Sequence, residues 1–251
     1  MTEEVVFDWD RQARTGIPEV VFAEGKSADQ IASILRQAAE RRRPLLITRF
    51  PSDLCQAVRQ QIELEFDYDT ISRTAILSAP DPAEGSTAGE GTDEGIAAGC
   101  DAADGVAAVA GKPGTFGSVG IVCAGSSDLP VAREAQRSLE FFGIENELHC
   151  DVGVAGLWRL MAIADPLQRH AVLIAVAGME GALFSVVAGL VPGLVIAVPT
   201  SIGYGVAAGG QAALTSALAS CAPGVVCVNI DNGFGAAAAA RKILLNGRAA
   251  S

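Results

Sequence analysis

Five short apolar segments in the second half of the chain each precede a stretch of helical character, and this alternation constrains the fold most. The segments are VGIVCA, IENELHC, HAVLIAVAG, LVIAVP and VVCVNI, all between residues 118 and 230. Successive strand–helix units imply parallel strands with helices on both faces of the sheet. The pattern therefore predicts an α/β fold with a three-layer parallel sheet, of flavodoxin or Rossmann type.

The composition changes twice along the chain, which predicts three regions: 1–77, 78–117 and 118–251. The first is expected to be a smaller α/β region, because Ser27–Gln30 has the capping-box pattern that starts a helix and residues 45–50 form an apolar strand. The second contains the acidic, glycine-rich PDPAEGSTAGEGTDEG and is expected to be a flexible connector. The third carries the five strand–helix units and is the expected catalytic domain.

Composition and charge argue against several classes of function. The formal net charge of −11 disfavours binding to a nucleic-acid backbone. Residues 181–230 contain no Asp, Glu, Lys or Arg, but prolines and glycines divide them into pieces shorter than the ~20 apolar residues of a membrane span. The N-terminus lacks the apolar core of a signal peptide, and the six cysteines are scattered. We therefore expect a cytoplasmic protein with reduced thiols and no membrane partner.

An uncharged helix is predicted from Val206 to Ser220. A helix without a charged face needs more cover than one chain offers, so it is expected to pack against another subunit of a homo-oligomer.

Small, polar and acidic residues gather where the predicted strands end, and ligands of such sheets bind at the carboxyl ends of the strands. The candidate substrate-binding residues are Ser126, Ser127, Asp128, Gly153, Gly178, Thr200, Ser201, Gly203 and Asn232. Ser126, Ser127 and Asp128 open a helix, where they can cap it, bind phosphate or ribose, or do both. Thr200 begins a second glycine-rich turn that suits phosphate.

Three acidic residues are candidates for chemistry. Asp151 and Asp231 are possible magnesium ligands because they offer hard oxygen donors, although Asp231 could equally cap the last helix. Glu180 is the one acidic or basic residue between Arg169 and Asp231. It either compensates a helix dipole or, in its apolar setting, has a raised pKa and acts as a base.

Two motifs resemble a known family. AGSSDLPVAREA resembles the GSxSDxPVxxxA signature of carboxyaminoimidazole ribonucleotide mutase, and VAGMEGALFSVVAGLVPGLVIAVPTSIGYG is similar to another of its conserved regions. The SAHR signature, with the histidine of that chemistry, is replaced here by GVAGLWR. Together with SCAPGVVCVNIDNGFGAA, this difference indicates a sister family, pyridinium-3,5-biscarboxylic acid mononucleotide synthase of the lactate racemase nickel-pincer cofactor pathway. The chain departs from that family at Trp158 and Phe184, where its members carry His and Pro.

The resemblance implies carboxylation of the pyridinium ring of nicotinic acid adenine dinucleotide by CO2, followed by phosphoanhydride hydrolysis that releases AMP. It also implies magnesium and a homo-octamer. The two alternatives are carboxylate transfer on an aminoimidazole ribonucleotide and a non-catalytic nucleotide-binding regulator.

Cys221, in the SCAPG motif, matches the nucleophile that the resemblance implies. From the residues alone, a free cysteine is more often a small packing residue, which is the interpretation of Cys123 and Cys227 within their strands. Cys221 precedes the last strand and follows a predicted helix. Its presence in the site therefore depends on the path of a loop.

Overall fold

Two separate sheets organise the chain. A computed structural model describes residues 6–79 and 118–248, and the predicted connector lies almost entirely outside the described residues. The first sheet contains β1 (Val21–Phe22), β2 (Leu45–Thr48), β3 (Asp67–Asp69) and β4 (Thr74–Leu77), in the order β1-β2-β4-β3. Its helices are α1 (Arg11–Thr15), α2 (Ala28–Glu40) and α3 (Ser52–Arg59).

The capping box that the sequence predicts begins α2. The Ser27 hydroxyl accepts a hydrogen bond from the Gln30 backbone N–H, and the Gln30 side chain accepts one from the Ser27 N–H. These two bonds satisfy donors that the first turn of a helix leaves free. The inner face of α2 then buries five apolar residues against the first sheet: Ile31, Ala32, Ile34, Leu35 and Ala38.

The second sheet has five strands that are all parallel, which confirms the predicted fold class. The strands are β5 (Val119–Cys123), β6 (Asn146–His149), β7 (Val172–Ala177), β8 (Leu194–Pro199) and β9 (Val225–Cys227). Their order is β6-β5-β7-β8-β9, so the chain first extends the sheet on one side of β5 and then on the other. This is the flavodoxin-like order, whose switch point lies between the first and third strands.

Helices cover both faces of the second sheet. They are α4 (Leu129–Phe141), α5 (Leu157–Ala162), α6 (Ala164–Leu167), α7 (Ala182–Ala188), α8 (Gln211–Leu218) and α9 (Gly233–Arg248). One face packs on α4 and α9, and the other packs on α5 to α8. Within the described ranges, no helix combines the length and the apolar character needed to cross a bilayer.

The predicted helix from Val206 to Ser220 is interrupted. Ala208 has an extended backbone with ψ of 140° and Gly209 is left-handed with φ of 74°, so a 3-10 segment over Gly205–Gly210 precedes α8. Gly210 is also left-handed, and a side chain there would meet the Thr200 backbone oxygen at 2.6 Å. The prediction of one continuous helix is therefore wrong, because the two glycines turn the chain close against the end of β8.

Charged contacts join the two parts of the chain along α4. Arg133 pairs with Asp69 at 2.9 Å, and Arg137 pairs with Asp67 at 2.5 Å. The first sheet therefore sits against α4, close to the carboxyl-end edge of the second sheet.

Candidate active site

The loops that follow β5, β6 and β7 enclose a cavity of about 340 Å³ at the carboxyl ends of the parallel strands. Its walls come from residues within the stretches 124–128, 151–159 and 177–183, together with Ile202 after β8. A larger open groove of about 780 Å³ lies on the first part, around residues 59–78, away from these strand ends. We therefore take the cavity at the switch point of the sheet, called here the main cavity, as the candidate active site.

Asp128 and Thr200 hold the loops of the main cavity together. The buried Asp128 carboxylate accepts a hydrogen bond from the Gly125 backbone N–H at 2.9 Å and another from the Thr200 hydroxyl at 2.6 Å. Each side chain therefore satisfies the other across 72 residues of sequence. Both were predicted to bind substrate, but in the structure they fix the positions of the β5 and β8 loops.

Gly178 and Gly153 allow the loops to approach one another. A Cβ at Gly178 would lie 2.1 Å from the backbone oxygen of Ile202, and a Cβ at Gly153 would lie 2.7 Å from that of Ala124. No side chain fits at such distances. Both predicted binding glycines line the main cavity, and the backbone of a neighbouring loop packs directly on each of them.

The other predicted binding residues are divided between different environments. Ser127 is exposed and lines the main cavity, whereas Ser126 and Gly203 do not line it. Ser201 lies in a second cavity described below. Asn232 precedes α9 and accepts a hydrogen bond from the Gly235 N–H at 2.8 Å, so it caps that helix.

Glu180 is exposed and borders the main cavity just before α7. Opposite it, Arg159 on α5 forms an ion pair with Asp151, and both line the cavity. Arg159 was not among the residues predicted from the sequence. Its position in the sequence could have indicated this role. Arg159 lies in the short helix α5 just after the β6 loop, so its side chain can reach a site that this loop forms.

Asp151 and Asp231 do not form one metal site in this chain. Asp151 borders the main cavity and pairs with Arg159, whereas Asp231 borders the second cavity and accepts a hydrogen bond from the Ser201 N–H at 2.8 Å. Among the described residues, no group of three or more His, Cys, Asp or Glu side chains is arranged to bind a metal. Asp151 and Asp231 therefore belong to two different cavities, and magnesium binding stays a prediction.

Cys221 lies at the amino ends of the parallel strands, whereas the main cavity lies at their carboxyl ends. Helix α8 runs from the carboxyl-end edge back to the amino-end edge, and Cys221 comes between α8 and β9. The Val195 N–H, near the start of β8, donates to the Gly224 oxygen at 3.0 Å, which places this loop beside the first residues of β8. The six residues of β8 span about 20 Å. Within one chain, the structure therefore does not bring Cys221 and Glu180 together.

The cysteines inside strands differ from Cys221 in their environment. Cys123 is completely buried, and burial raises the pKa of its thiol to about 12. Burial also raises the pKa of Cys227. These two thiols pack against the core, whereas the Cys221 side chain is exposed.

A second cavity of about 210 Å³, called here the interdomain cavity, lies where the first part meets the carboxyl-end edge of the second sheet. Arg49, Ser72 and Arg73 come from the first part. The second part contributes Ser127, Pro130, Val131, Glu134, Ser201, Ile202 and Asp231. A contribution of the first part to a site was not predicted from the sequence.

Glu134 is the buried acid of the interdomain cavity. Burial raises the pKa of its carboxyl to about 7, against the opposing effect of Arg49, whose Nε lies 3.9 Å from it. The carboxylate accepts a hydrogen bond from the Gly233 N–H at 3.0 Å.

Comparison with known proteins identifies both parts of the chain. A family model described as "LarB/PurE-like N-terminal domain" matches residues 2–79, and one described as "AIR carboxylase" matches residues 118–250. The uncharacterized protein MJ0165 of Methanocaldococcus jannaschii is 35% identical over 238 residues, which cover 93% of this chain and 81% of that protein.

Two crystal structures from Treponema denticola match the second part. A PurE2 variant is 24% identical with a TM-score of 0.37, and PurE is 21% identical with a TM-score of 0.39. Each match covers 53% of this chain and 91% of the other chain.

Proposed function

This chain belongs to the AIR carboxylase family and carries a LarB/PurE-like N-terminal domain, and from this premise we propose that it carboxylates a pyridinium dinucleotide. The substrate is nicotinic acid adenine dinucleotide, which takes up CO2 on its ring. Hydrolysis of the phosphoanhydride then releases AMP and leaves pyridinium-3,5-biscarboxylic acid mononucleotide. Such a product serves the synthesis of a nickel-pincer cofactor for lactate racemase.

The main cavity is the observation that carries this proposal. It combines an acid, Glu180, with Ser127, which lies just before the N-terminus of α4. The N-terminus of a helix favours phosphate groups, and an acid beside a substrate pocket can accept a proton. Among the described residues that line this cavity there is no histidine, which favours the dinucleotide reaction over carboxylate transfer on an aminoimidazole ribonucleotide.

A nucleophile solves the main chemical problem of the reaction. The pyridinium ring is electron-poor, so the carbon meta to its nitrogen does not attack CO2. The Cys221 thiolate adds to the para carbon, and an electron pair of the ring moves to the nitrogen. The resulting dihydropyridine is an enamine, whose meta carbon attacks the carbon of CO2. A covalent intermediate of this kind replaces one difficult step by easier ones.

Glu180 completes the carboxylation as the base. After the carbon–carbon bond forms, Glu180 removes the proton from the meta carbon. The electron pair of that C–H bond returns to the ring, and the thiolate leaves the para carbon with its own electron pair. Aromaticity is restored, the thiolate is regenerated, the proton stays on Glu180, and the net change is replacement of a ring proton by a carboxylate.

Hydrolysis requires water to attack the phosphoanhydride while the phosphates are held in place. Ser127 and the N-terminus of α4 are the groups of the main cavity that suit this role. We assign no step to magnesium, since Asp151 and Asp231 lie in different cavities.

The thiol and the base come from different copies of the chain in this proposal. Cys221 is exposed at the amino-end edge of the sheet, and Glu180 is exposed at the carboxyl-end edge. A homo-oligomer, expected to be an octamer, can bring the Cys221 loop of one copy to the main cavity of another.

A product assay tests the proposed function. The protein is incubated with nicotinic acid adenine dinucleotide and ¹³C-bicarbonate as the CO2 source, and products are separated by chromatography and weighed by mass spectrometry. We expect AMP together with a ¹³C-labelled biscarboxylic mononucleotide. Glu180→Gln should lower carboxylation about a hundredfold or more, because it keeps the shape but cannot accept a proton. The exposed Glu24→Gln is the control for loss of one acid.

The same assay separates the alternatives. Labelled carboxylate on an aminoimidazole ribonucleotide supplied in parallel would favour the mutase-like reaction. Binding of the dinucleotide without AMP would indicate a regulator, an interpretation that the exposed Trp158 at the position of the family's histidine also allows. Unchanged turnover by Glu180→Gln would exclude this residue as the base.

A further inference from the structure

Two arginines of the first part extend toward the second part. Arg49 directly follows β2 and Arg73 directly precedes β4, and these strands are antiparallel neighbours, so both residues lie at the same end of the first sheet. The Phe50 N–H donates to the Arg73 oxygen at 2.8 Å, which ties the two loops together. Both arginines line the interdomain cavity.

The two arginines have different amounts of protein contact. The Arg49 guanidinium donates to the Asp231 backbone oxygen and lies near Glu134, so it is anchored to the second part. Arg73 is exposed, and its side chain makes no ion pair or hydrogen bond with the residues that the structure describes. Its guanidinium is therefore free to bind a ligand that enters the cavity.

The surrounding groups favour an anion of the phosphate class. The cavity adds the Ser127 and Ser201 side chains and the nearby N-terminus of the 13-residue helix α4 to the two guanidinium groups, whereas the Ser72 hydroxyl is already bonded to Asp69 and Thr74. Guanidinium and the N-termini of helices are the usual partners of phosphate oxygens. Burial raises the pKa of Glu134 to about 7, which reduces the opposing negative charge near neutral pH. The second acid in the lining, Asp231, accepts a hydrogen bond from the Ser201 N–H.

The interdomain cavity adjoins the main cavity. Ser127 and Ile202 border both. The two cavities, of about 340 Å³ and 210 Å³, lie side by side and suit the two halves of one extended ligand. A dinucleotide consists of two nucleosides joined by a pyrophosphate, and a pyrophosphate at Ser127 would send one half into each cavity.

We propose that the interdomain cavity is a second substrate subsite, in which Arg73 binds the phosphate of the nucleoside monophosphate that hydrolysis releases. The identity of this leaving half rests on the proposed function. The N-terminal domain then holds the adenylate half while the pyridinium half reacts in the main cavity.

The test measures binding of the two halves separately. Affinities for AMP, adenosine and nicotinic acid mononucleotide are determined by calorimetry for the wild type, Arg73→Ala and Arg42→Ala. Arg42 is the matched control, because it is also an exposed arginine of the first part, it has a left-handed φ of 50° against 53° for Arg73, and it does not line the cavity. Thermal unfolding of each variant confirms that it is folded.

We expect Arg73→Ala to weaken AMP binding about tenfold or more, the usual effect of losing a charge-assisted hydrogen bond. Adenosine lacks the phosphate, so its affinity should not change, and neither should that of nicotinic acid mononucleotide. Arg42→Ala should behave as the wild type with all three ligands.

Three outcomes overturn the proposal: no measurable AMP binding by the wild type, equal AMP affinity of Arg73→Ala and Arg42→Ala, or an equal loss of adenosine affinity. These outcomes are separable from failure of the proposed function. AMP binding through Arg73 without any carboxylated product would sustain the subsite and reject the reaction. Carboxylation with unchanged AMP affinity of Arg73→Ala would reject the subsite and sustain the reaction.

Discussion

Cys221 differs from the packing cysteines in both exposure and surroundings. It is exposed, and its neighbours Ser220, Ala222 and Gly224 are small. Cys123, by contrast, is enclosed in the core, and its pKa is raised to about 12 by burial. Only a thiolate is an effective nucleophile, so Cys123 is unsuited to attack a ring, while an approaching cationic pyridinium can meet Cys221 directly.

We predict that NAD, which shares the pyridinium ring but carries an amide, forms an adduct with Cys221. The adduct is a dihydropyridine and should add an absorbance band in the near ultraviolet. Cys221→Ser should abolish the band, because a hydroxyl is a far weaker nucleophile at neutral pH. Cys150→Ser is the matched control, since Cys150 is also exposed. A full band or full carboxylation with Cys221→Ser would exclude the covalent mechanism.

Asp128 and Thr200 show what a pattern of polar residues after strands can and cannot predict. Asp128 and Thr200 were chosen because polar residues after parallel strands commonly bind ligands. The pattern predicted their location correctly, since both residues lie at the carboxyl ends of the parallel strands. Their mutual hydrogen bond was not predictable, because it joins residues far apart in sequence whose loops approach only after β5, β7 and β8 align.

Helix α4 is the element through which the two parts of the chain act on one another. Its N-terminus faces both cavities at Ser127, and Arg133 and Arg137 on its outer side pair with the first sheet. Glu134, in the same helix, is buried against the start of α9. A change in the charge of Glu134 therefore affects the joint between the parts.

We predict that stability falls as pH rises through the pKa of Glu134. Burial raises this pKa from 4.5 to about 7, and Arg49 and the Gly233 and Phe234 N–H groups only partly oppose the effect of burial. The folded state thus holds a proton that the unfolded state releases above 4.5. The stabilisation is complete below pH 4.5 and is lost by about pH 7, at a cost of about 3 kcal/mol at most.

Glu134→Gln removes this ionisation and keeps the shape of the side chain. Urea unfolding at several pH values between about 5 and 8 should show the variant gaining stability relative to the wild type as pH rises, with the gain levelling off above about pH 7. The exposed Glu24→Gln controls for loss of one negative charge. Parallel stability curves for Glu134→Gln and the wild type would contradict the prediction.

The elements themselves were largely predictable from sequence. Apolar runs indicated all five parallel strands, and the Ser27 and Gln30 side chains marked the start of α2. The continuous helix through residue 208 was not correct, because two left-handed glycines outweighed the helical propensity of their alanine neighbours. The alternation of strands and helices also determines where Cys221 lies. Any residue between α8 and β9 is at the amino ends of the parallel strands.

The relation between the two parts was the least predictable feature of the whole molecule. It depends on single charges, such as Asp69 with Arg133, that are 64 residues apart and carry no periodic signal. Arg49 and Arg73 enter the interdomain cavity only because of this docking. The sequence therefore predicted the residues at the main cavity better than those at the interdomain cavity.

Large apolar side chains remain exposed at both edges of the second sheet. Trp158 and Tyr204 lie near the carboxyl-end edge and are 75% and 77% exposed, and Leu218, at the end of α8 near Cys221, is 72% exposed. A contiguous patch of such side chains would mark a surface that contacts another protein. Ala213, in contrast, is completely buried within its own chain, so a substitution there would test folding and not association.

The proposed sharing of one site between copies predicts a specific result for mixed assemblies. When expressed alone, Cys221→Ser should lack carboxylation activity and Glu180→Gln should keep about a hundredth of it or less. When the two variants are co-expressed with different tags and mixed assemblies are purified, some sites combine the intact cavity of one variant with the intact thiol of the other. Random assembly should restore up to about a quarter of wild-type activity. Co-expression of Cys221→Ser with a Cys221→Ser, Glu180→Gln double variant is the control and should stay inactive. A mixed assembly without activity, or wild-type protein that sediments as a monomer, would show that Cys221 and Glu180 do not meet across copies.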